Sequence, residues 1–163
     1  MCRNTVLTKS NNGEKKLQNR HATIFAIYDA EGKIRQNLIE YIVELRKYSD
    51  YIILVSDCKI DENEILKISN LVDYTIFGKH GEYDFGSYKR GLQVLRKHPI
   101  YKNLDYITFC NDSVKYTGES FEKYFKNKNQ SDAYGITISQ YAFRLYDENH
   151  PMCIQPHIQS YFI

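Results

Sequence analysis

The chain has 163 residues, of which 42% are hydrophobic and 26% are charged, so it can bury a core and is too apolar for a disordered protein. Its 22 basic and 20 acidic residues leave a formal charge of only +2, which gives no support for a dedicated nucleic-acid binder. The four cysteines are scattered, and we find no apolar signal segment and no apolar run long enough to span a bilayer. These features predict a cytoplasmic protein, associated at most with the inner face of the membrane.

Apolar runs of strand length alternate with helical patterns along most of the chain. Residues 1–20 are polar, and we expect them to form a flexible lead-in to a single domain at 21–163. The predicted strands lie at 22–28, 51–55, 73–77, 105–110 and 133–138. The predicted helices lie at 34–48, from about 61, at 85–97 and at 120–125. This alternation predicts an α/β fold of the Rossmann-like type, with a mainly parallel sheet and helices on both faces.

The segment Gly78–Leu92, between the third strand and the third helix, has a composition unsuited to a core. It combines four glycines with acidic, basic and tyrosine side chains, most of which must stay hydrated or paired. Its glycine spacing matches neither a P-loop nor the dinucleotide-binding fingerprint. The segment is therefore either a ligand-binding loop or a turn whose Asp84 or Ser87 caps the following helix.

Polar side chains also follow the other strands, at the edge where parallel sheets bind ligands. Asp57 follows the second strand, and Asn111, Asp112 and Ser113 follow the fourth. A carboxylate between two small polar side chains can hold a divalent cation or a sugar hydroxyl, since Mg²⁺ binds through one or two carboxylates plus phosphate oxygens. Equally, Asn111 or Asp112 can simply cap the next turn.

Four blocks of sequence, in this order, resemble the rhamnan synthesis F family of glycosyltransferase-like proteins from bacterial polysaccharide assembly. They lie at 83–89, 111–113, 132–137 and 157–162, and the similarity runs from about residue 21 to the end. The resemblance implies a GT-A-type nucleotide-sugar-binding domain. Relatives continue beyond the last block, so we expect the chain to be truncated at its C-terminus.

The resemblance also implies roles for individual residues. Asp112 and His157 would be catalytic, and Asp112 would hold Mg²⁺ or Mn²⁺. Substrate contacts would come from residues of the loop and of the four blocks, together with the acid after the second strand: Asp57, Lys79, Asp84, Gly86, Ser87, Lys89, Asn111, Ser113, Asp132 and Gln159.

The sequence therefore predicts transfer of rhamnose or a similar sugar from a nucleotide-sugar donor to a glycan or lipid-linked glycan acceptor. The product would be rhamnan, O-antigen or a related cell-surface polysaccharide, and other assembly enzymes would be partners. One alternative is a non-catalytic sugar-binding or assembly module with a degenerate or truncated transferase fold, because Lys79 and His80 stand where relatives commonly have arginine and asparagine. Another is a small receiver-like or nucleotide-binding regulator, which would need acids at the first strand.

Overall fold

The computed structural model describes residues 20–126 and the backbone of the pairs 138–139 and 157–158. The strands, numbered β1 to β6 in chain order, are His21–Ile27, Tyr51–Ser56, Tyr74–Phe77, Tyr106–Asn111, Ile138–Ser139 and His157–Ile158. The helices, numbered α1 to α4, are Gln36–Arg46, Glu62–Leu66, Tyr83–Lys97 and Glu122–Lys126. A 3₁₀ helix spans Pro99–Asn103.

The first four strands form one sheet in the order β3-β2-β1-β4, and every neighbouring pair is parallel. In the register, Ala22 of β1 lies opposite Tyr51 of β2 on one side and Ile107 of β4 on the other. The chain thus runs outward from β1 to β3 and then crosses back to place β4 on the far side of β1. This order creates a topological switch point between β1 and β4, where doubly wound sheets bind ligands.

Alternate side chains of the central strands pack against helices on opposite faces of the sheet. Phe25 and Leu54 belong to a buried cluster that includes Ile42 of α1. Ile24 and Val55 belong to a second cluster with residues of α3. These are neighbouring positions on a strand, and successive side chains of a strand point to opposite faces. The prediction of an α/β domain with helices on both faces is therefore confirmed.

Helix α3 lies directly against the sheet at Gly91. A Cβ at this position would be 2.4 Å from Cγ2 of Ile24 and 3.3 Å from Cγ2 of Val55. Both of those side chains are fully buried. Glycine is required here because any side chain would push α3 away from β1.

Helix boundaries differ by a few residues from the sequence-based expectations. Helix α1 begins at Gln36 rather than residue 34, because the backbone of Arg35 is extended (φ −81°, ψ 153°). The N–H of Ile34 donates to Glu64 Oε2 at 2.8 Å. Cys110 is fully buried, Cys58 is partly exposed, and both are free thiols. The predicted fifth strand falls mostly outside the described residues.

Residue 138, the described end of the predicted fifth strand, does not extend the parallel sheet. Ile138 pairs antiparallel with Ile158, and Ser139 with His157, in a separate two-stranded sheet. Of the predicted lead-in at 1–20, residues 1–19 also lie outside the described residues. None of the described helices is long and apolar enough to cross a membrane.

Candidate functional site

Four aspartates lie at the carboxyl-end edge of the parallel sheet. Asp29 follows β1, Asp57 follows β2, Asp84 lies in the first turn of α3, and Asp112 follows β4. Their hydrogen-bond partners divide them into two pairs. Asp29 and Asp57 are engaged by nearby backbone N–H groups, and Asp29 also by an arginine. Asp84 and Asp112 border the switch point.

Asp29 organises the turn that follows β1. Its carboxylate accepts hydrogen bonds from the N–H groups of Glu31 (2.9 Å) and Lys33 (3.2 Å) and from Nε of Arg35 (2.6 Å). Burial acts to raise the pKa of Asp29, but these donors, Arg35 first among them, hold it below its ordinary value. With its oxygens engaged in this way, Asp29 is a structural residue.

Asp57 organises the loop that precedes α3. Its Oδ1 accepts the N–H of His80 and the N–H of Gly81, the latter at 2.8 Å. These backbone hydrogen bonds, Gly81 first, keep the pKa of Asp57 below its ordinary value. Asp57 was predicted to bind substrate, and the structure places it where it holds this loop. The loop N–H groups of His80 and Gly81 are therefore already engaged by an anion.

Near this loop, the side chains of Ser87, His80 and Asp57 follow one another as in the Ser-His-Asp triad of a hydrolase. His80 Nε2 lies 3.0 Å from Ser87 Oγ, and His80 Nδ1 lies 3.6 Å from Asp57 Oδ1. However, His80 Nδ1 accepts the N–H of Glu82 at 3.1 Å, which assigns the neutral ring's proton to Nε2, as donor to Ser87. A ring nitrogen that already carries its proton cannot activate the serine, and Ser87 is only 1% exposed. These hydrogen bonds therefore have a structural role, in which they hold the loop against α3.

Asp84 and Asp112 are held at the switch point by Asn111, the last residue of β4. The Asn111 side chain is fully buried. Its Nδ2 donates to Asp84 Oδ2 at 2.6 Å, and its Oδ1 accepts the N–H of Ser113 at 3.3 Å. Asp112 Oδ2 accepts the N–H of Tyr28 at 3.0 Å. One buried amide therefore fixes the Asp84 carboxylate and the turn that carries Asp112.

The carboxylate environment at the switch point favours a cation or a proton. Desolvation raises the pKa of Asp112, and the negative charges of Asp84 and Asp29 raise it further, against the opposing N–H of Tyr28. Tyr88 is buried beneath the site, and burial raises the pKa of its hydroxyl well above the ordinary value, with further contributions from Cys110, Asp84 and Asp112. The candidate site at the switch point is therefore lined by acidic side chains.

The donor set fits a hard divalent cation only when a ligand supplies further oxygens. Within residues 20–126, no group of three or more histidine, cysteine or acidic side chains is arranged to hold a metal ion. Asp84 and Asp112 provide two carboxylates, the number with which Mg²⁺ commonly binds alongside substrate phosphates. A metal held here would need such a substrate to complete its coordination.

Three aromatic residues that neighbour these carboxylates in the chain or through a backbone hydrogen bond have exposed side chains. Tyr28 is 62% exposed, Tyr83 is 84% exposed and Phe85 is 70% exposed. Tyr83 and Phe85 flank Asp84 in sequence, and the backbone of Tyr28 donates to Asp112. Tyr83 has a φ of 54°, in the left-handed region that aromatic residues rarely adopt. These aromatic residues were not among the predicted site residues, although aromatic side chains on both sides of Asp84 were visible in the sequence.

The other predicted site residues have varied surroundings. Gly86 is buried, and a Cβ there would lie 2.2 Å from Cβ of Glu82, so it permits the close turn at the start of α3. Lys79, Lys89 and Ser113 are exposed. His157 is described only as backbone in β6, and Asp132 and Gln159 lie outside the described residues.

The strand order, the crossover by α3 and the acidic switch point together define a doubly wound α/β domain with its candidate site at the usual edge. The family model for rhamnan synthesis protein F matches residues 52–163, and the chain belongs to this family. Membership implies involvement in rhamnan synthesis, and hence in polysaccharide biosynthesis. A search of curated proteins and a search of solved structures found no match to the chain.

Proposed function

We propose that the protein is a glycosyltransferase that transfers rhamnose or a related sugar from a nucleotide-sugar donor during cell-surface polysaccharide synthesis. The acceptor would be a glycan or lipid-linked glycan, and the protein would work in the cytoplasm or at the inner face of the membrane beside other assembly enzymes. The observation that carries the proposal is the proximity of two carboxylates at the switch point of a family member: Asp84, which accepts a hydrogen bond from Asn111, and Asp112, whose pKa the charge of Asp84 helps to raise.

The carboxylate pair supports binding of a nucleoside diphosphate group through a cation. The pair has the donor chemistry that suits Mg²⁺ or Mn²⁺ bound together with phosphate oxygens. A bound cation would stabilise the diphosphate leaving group as the sugar–phosphate bond breaks. Asp112 is our first choice as the cation ligand, because the negative charges of Asp84 and Asp29 disfavour an uncompensated charge on its carboxylate.

Basic residues for the phosphates would come from the surface of the loop and α3 rather than from the loop backbone. Lys79 and Lys89 are both exposed and free to turn toward a ligand. Arg90 is less available, because its guanidinium is paired with Glu82 at 2.9 Å. The acceptor hydroxyl must lose a proton as it attacks the sugar, and we propose His157, two residues before Gln159 in the sequence, as the base.

A thermal-shift panel of nucleotide-sugars, each with and without Mn²⁺, tests this proposal. Ligands that bind the folded state raise the unfolding temperature with concentration. We expect stabilisation by at least one nucleoside-diphosphate sugar, dependent on Mn²⁺, and its loss in Asp112→Asn. Asp29→Asn serves as the matched control, since it removes a nearby carboxylate that is engaged in its own turn. No stabilisation by any donor would refute the proposal.

A second candidate function is a non-catalytic sugar-binding or assembly module. The engagement of the His80 and Gly81 N–H groups by Asp57 favours it, because a phosphate would have to displace that carboxylate to bind this loop. Glycan binding without consumption of any nucleotide-sugar would decide for this candidate.

A further inference from the structure

We infer that the guanidinium of Arg35 binds the diphosphate group of the donor, together with the exposed lysines already proposed for the phosphates. The inference deepens the proposed function and rests on it, because it takes the donor to be bound at Asp112 through a cation. Arg35 follows β1 and directly precedes α1, and it was not among the predicted site residues.

Two successive contacts connect Arg35 to the candidate site. The N–H of Tyr28 donates to Asp112 Oδ2 at 3.0 Å. The next residue along the chain, Asp29, accepts a hydrogen bond from Nε of Arg35 at 2.6 Å. The negative charge of Asp29 is close enough to contribute to the raised pKa of Asp112. A diphosphate has two phosphate groups, so a cation at Asp112 could hold one while the other extends to the turn that carries Arg35.

The Arg35 guanidinium is held along one edge and open along the other. A guanidinium has five N–H donors; here Nε donates to Asp29, and Nη2 donates to Glu31 at 3.3 Å. Nη1 has no hydrogen-bond partner within residues 20–126, and the side chain is 65% exposed. The free donors of an arginine restrained in this way can bind phosphate oxygens, whose geometry the planar guanidinium matches.

Helix stability does not explain an arginine at this position. Arg35 is the N-cap residue of α1, where serine, threonine, aspartate or asparagine usually accepts a helix N–H. The Arg35 side chain makes no capping hydrogen bond, since a guanidinium has no acceptor atom. A positive charge at the N-terminus of a helix also opposes the helix dipole. The charge is better explained by the anions that it attracts, which within the described residues are Asp29 and Glu31.

The two acidic partners of Arg35 differ in how readily a phosphate could replace them. The Asp29 side chain is only 12% exposed, and two backbone N–H groups hold its carboxylate in the turn. The Glu31 side chain is 71% exposed, and its contact with Arg35 is longer, at 3.3 Å. Ion pairs this exposed contribute little to stability. A phosphate would therefore displace Glu31 and leave Asp29 in place, which makes Glu31 a competitor of the ligand.

The test is a calorimetric titration of the full chain with the diphosphates of adenosine, cytidine, guanosine, uridine and thymidine, each with Mn²⁺. We expect Arg35→Gln to weaken the tightest of them about tenfold, as loss of one hydrogen bond between charged groups implies. Arg35→Lys, which keeps the charge without the planar fork, should have an intermediate affinity. Glu31→Gln should bind as well as the wild type or more tightly, because the competing carboxylate is gone.

Lys33→Gln is the matched control for the loss of a positive charge. Lys33 lies two residues before Arg35, and its Nζ lies 3.8 Å from Asp61 and 3.9 Å from Glu64. This variant should keep wild-type affinity. The nucleoside that corresponds to the tightest diphosphate should bind equally to the wild type and to Arg35→Gln, since it has no phosphate.

The same titrations separate this inference from the proposed function. Weaker diphosphate binding in Arg35→Gln that still depends on Mn²⁺, with Lys33→Gln unaffected, supports the inference. Wild-type affinity in Arg35→Gln, where the wild type binds a diphosphate with Mn²⁺, overturns the inference and leaves the proposed function standing. An equal loss in Lys33→Gln would also overturn it, by showing a general effect of charge. If no diphosphate binds the wild-type chain, the inference and the proposed function fail together.

Discussion

Replacement of Asn111 tests how the candidate site is held together. In Asn111→Ala the carboxylate of Asp84 loses the 2.6 Å hydrogen bond from the buried amide, and the N–H of Ser113 loses its acceptor. A hydrogen bond to a charged group contributes about 1.5–3 kcal/mol, and a neutral one about 1 kcal/mol. Because Ser113 is exposed, water replaces part of the second bond. We expect a loss of about 2–4 kcal/mol in the free energy of unfolding, measured by urea titration with circular dichroism.

The near-isosteric variant Asn111→Asp separates packing from charge. It keeps the volume but places a third carboxylate beside Asp84 and Asp112, and like charges raise the pKa of a buried acid. Because its folded-state pKa would exceed its unfolded value, the penalty is absent when the new acid is protonated and grows as the pH rises through the raised pKa. Asn111→Asp should therefore approach wild-type stability at about pH 4 and fall below it at about pH 8. A cost under about 1 kcal/mol for Asn111→Ala, with no pH dependence in Asn111→Asp, would refute the role of the buried amide.

Three further variants test the surroundings of the site. Gly91→Ala should lose about 1–3 kcal/mol of stability despite a helix-propensity gain of about 1 kcal/mol, because its Cβ would meet Ile24; equal or higher stability by urea titration would contradict the close packing. Tyr83→Gly should leave stability unchanged or raise it by about 1 kcal/mol, since glycine accepts the left-handed backbone, whereas a clear loss would show that the ring supports the fold. The pKa of Asp57 is lowered in the folded state. The stability that its carboxylate contributes is therefore present above the unfolded pKa and is lost as pH falls through the folded pKa. Asp57→Asn should accordingly reduce the dependence of stability on pH in the acid range and speed proteolysis of the loop, and an unchanged acid profile would count against that role.

The fold was predictable because its evidence is local in sequence. The buried run of β1 and the run of β2 are continuous and apolar, as expected of strands covered on both faces. Polar residues directly after β4 could likewise be assigned to the ligand-binding edge once the sheet was taken as parallel. Asp84 and Asp112 were both predicted, and the structure places both at the switch point, where Asp84 bonds to Asn111 and its charge helps to raise the pKa of Asp112.

The functions of individual loop residues could not be read in this way, because they depend on contacts distant in sequence. Asp57 accepts N–H groups 23 and 24 residues further along the chain. The hydrogen bond between Asn111 and Asp84 joins residues 27 apart. No local pattern distinguishes an aspartate that holds a loop from one that faces a ligand. The roles of Asp132, His157 and Gln159 remain predictions from the family resemblance.

Calorimetric titration of a nucleoside-diphosphate sugar, with and without Mn²⁺, tests most directly whether Asp84 and Asp112 form a donor site. We predict that the wild-type chain binds the donor only with the metal, and that Asp84→Asn and Asp112→Asn each abolish the metal-dependent part. Asp29→Asn, whose carboxylate is engaged by Arg35 and its own turn, should still show metal-dependent donor binding. Donor binding that is independent of Mn²⁺, or that persists undiminished in Asp112→Asn, would contradict the account.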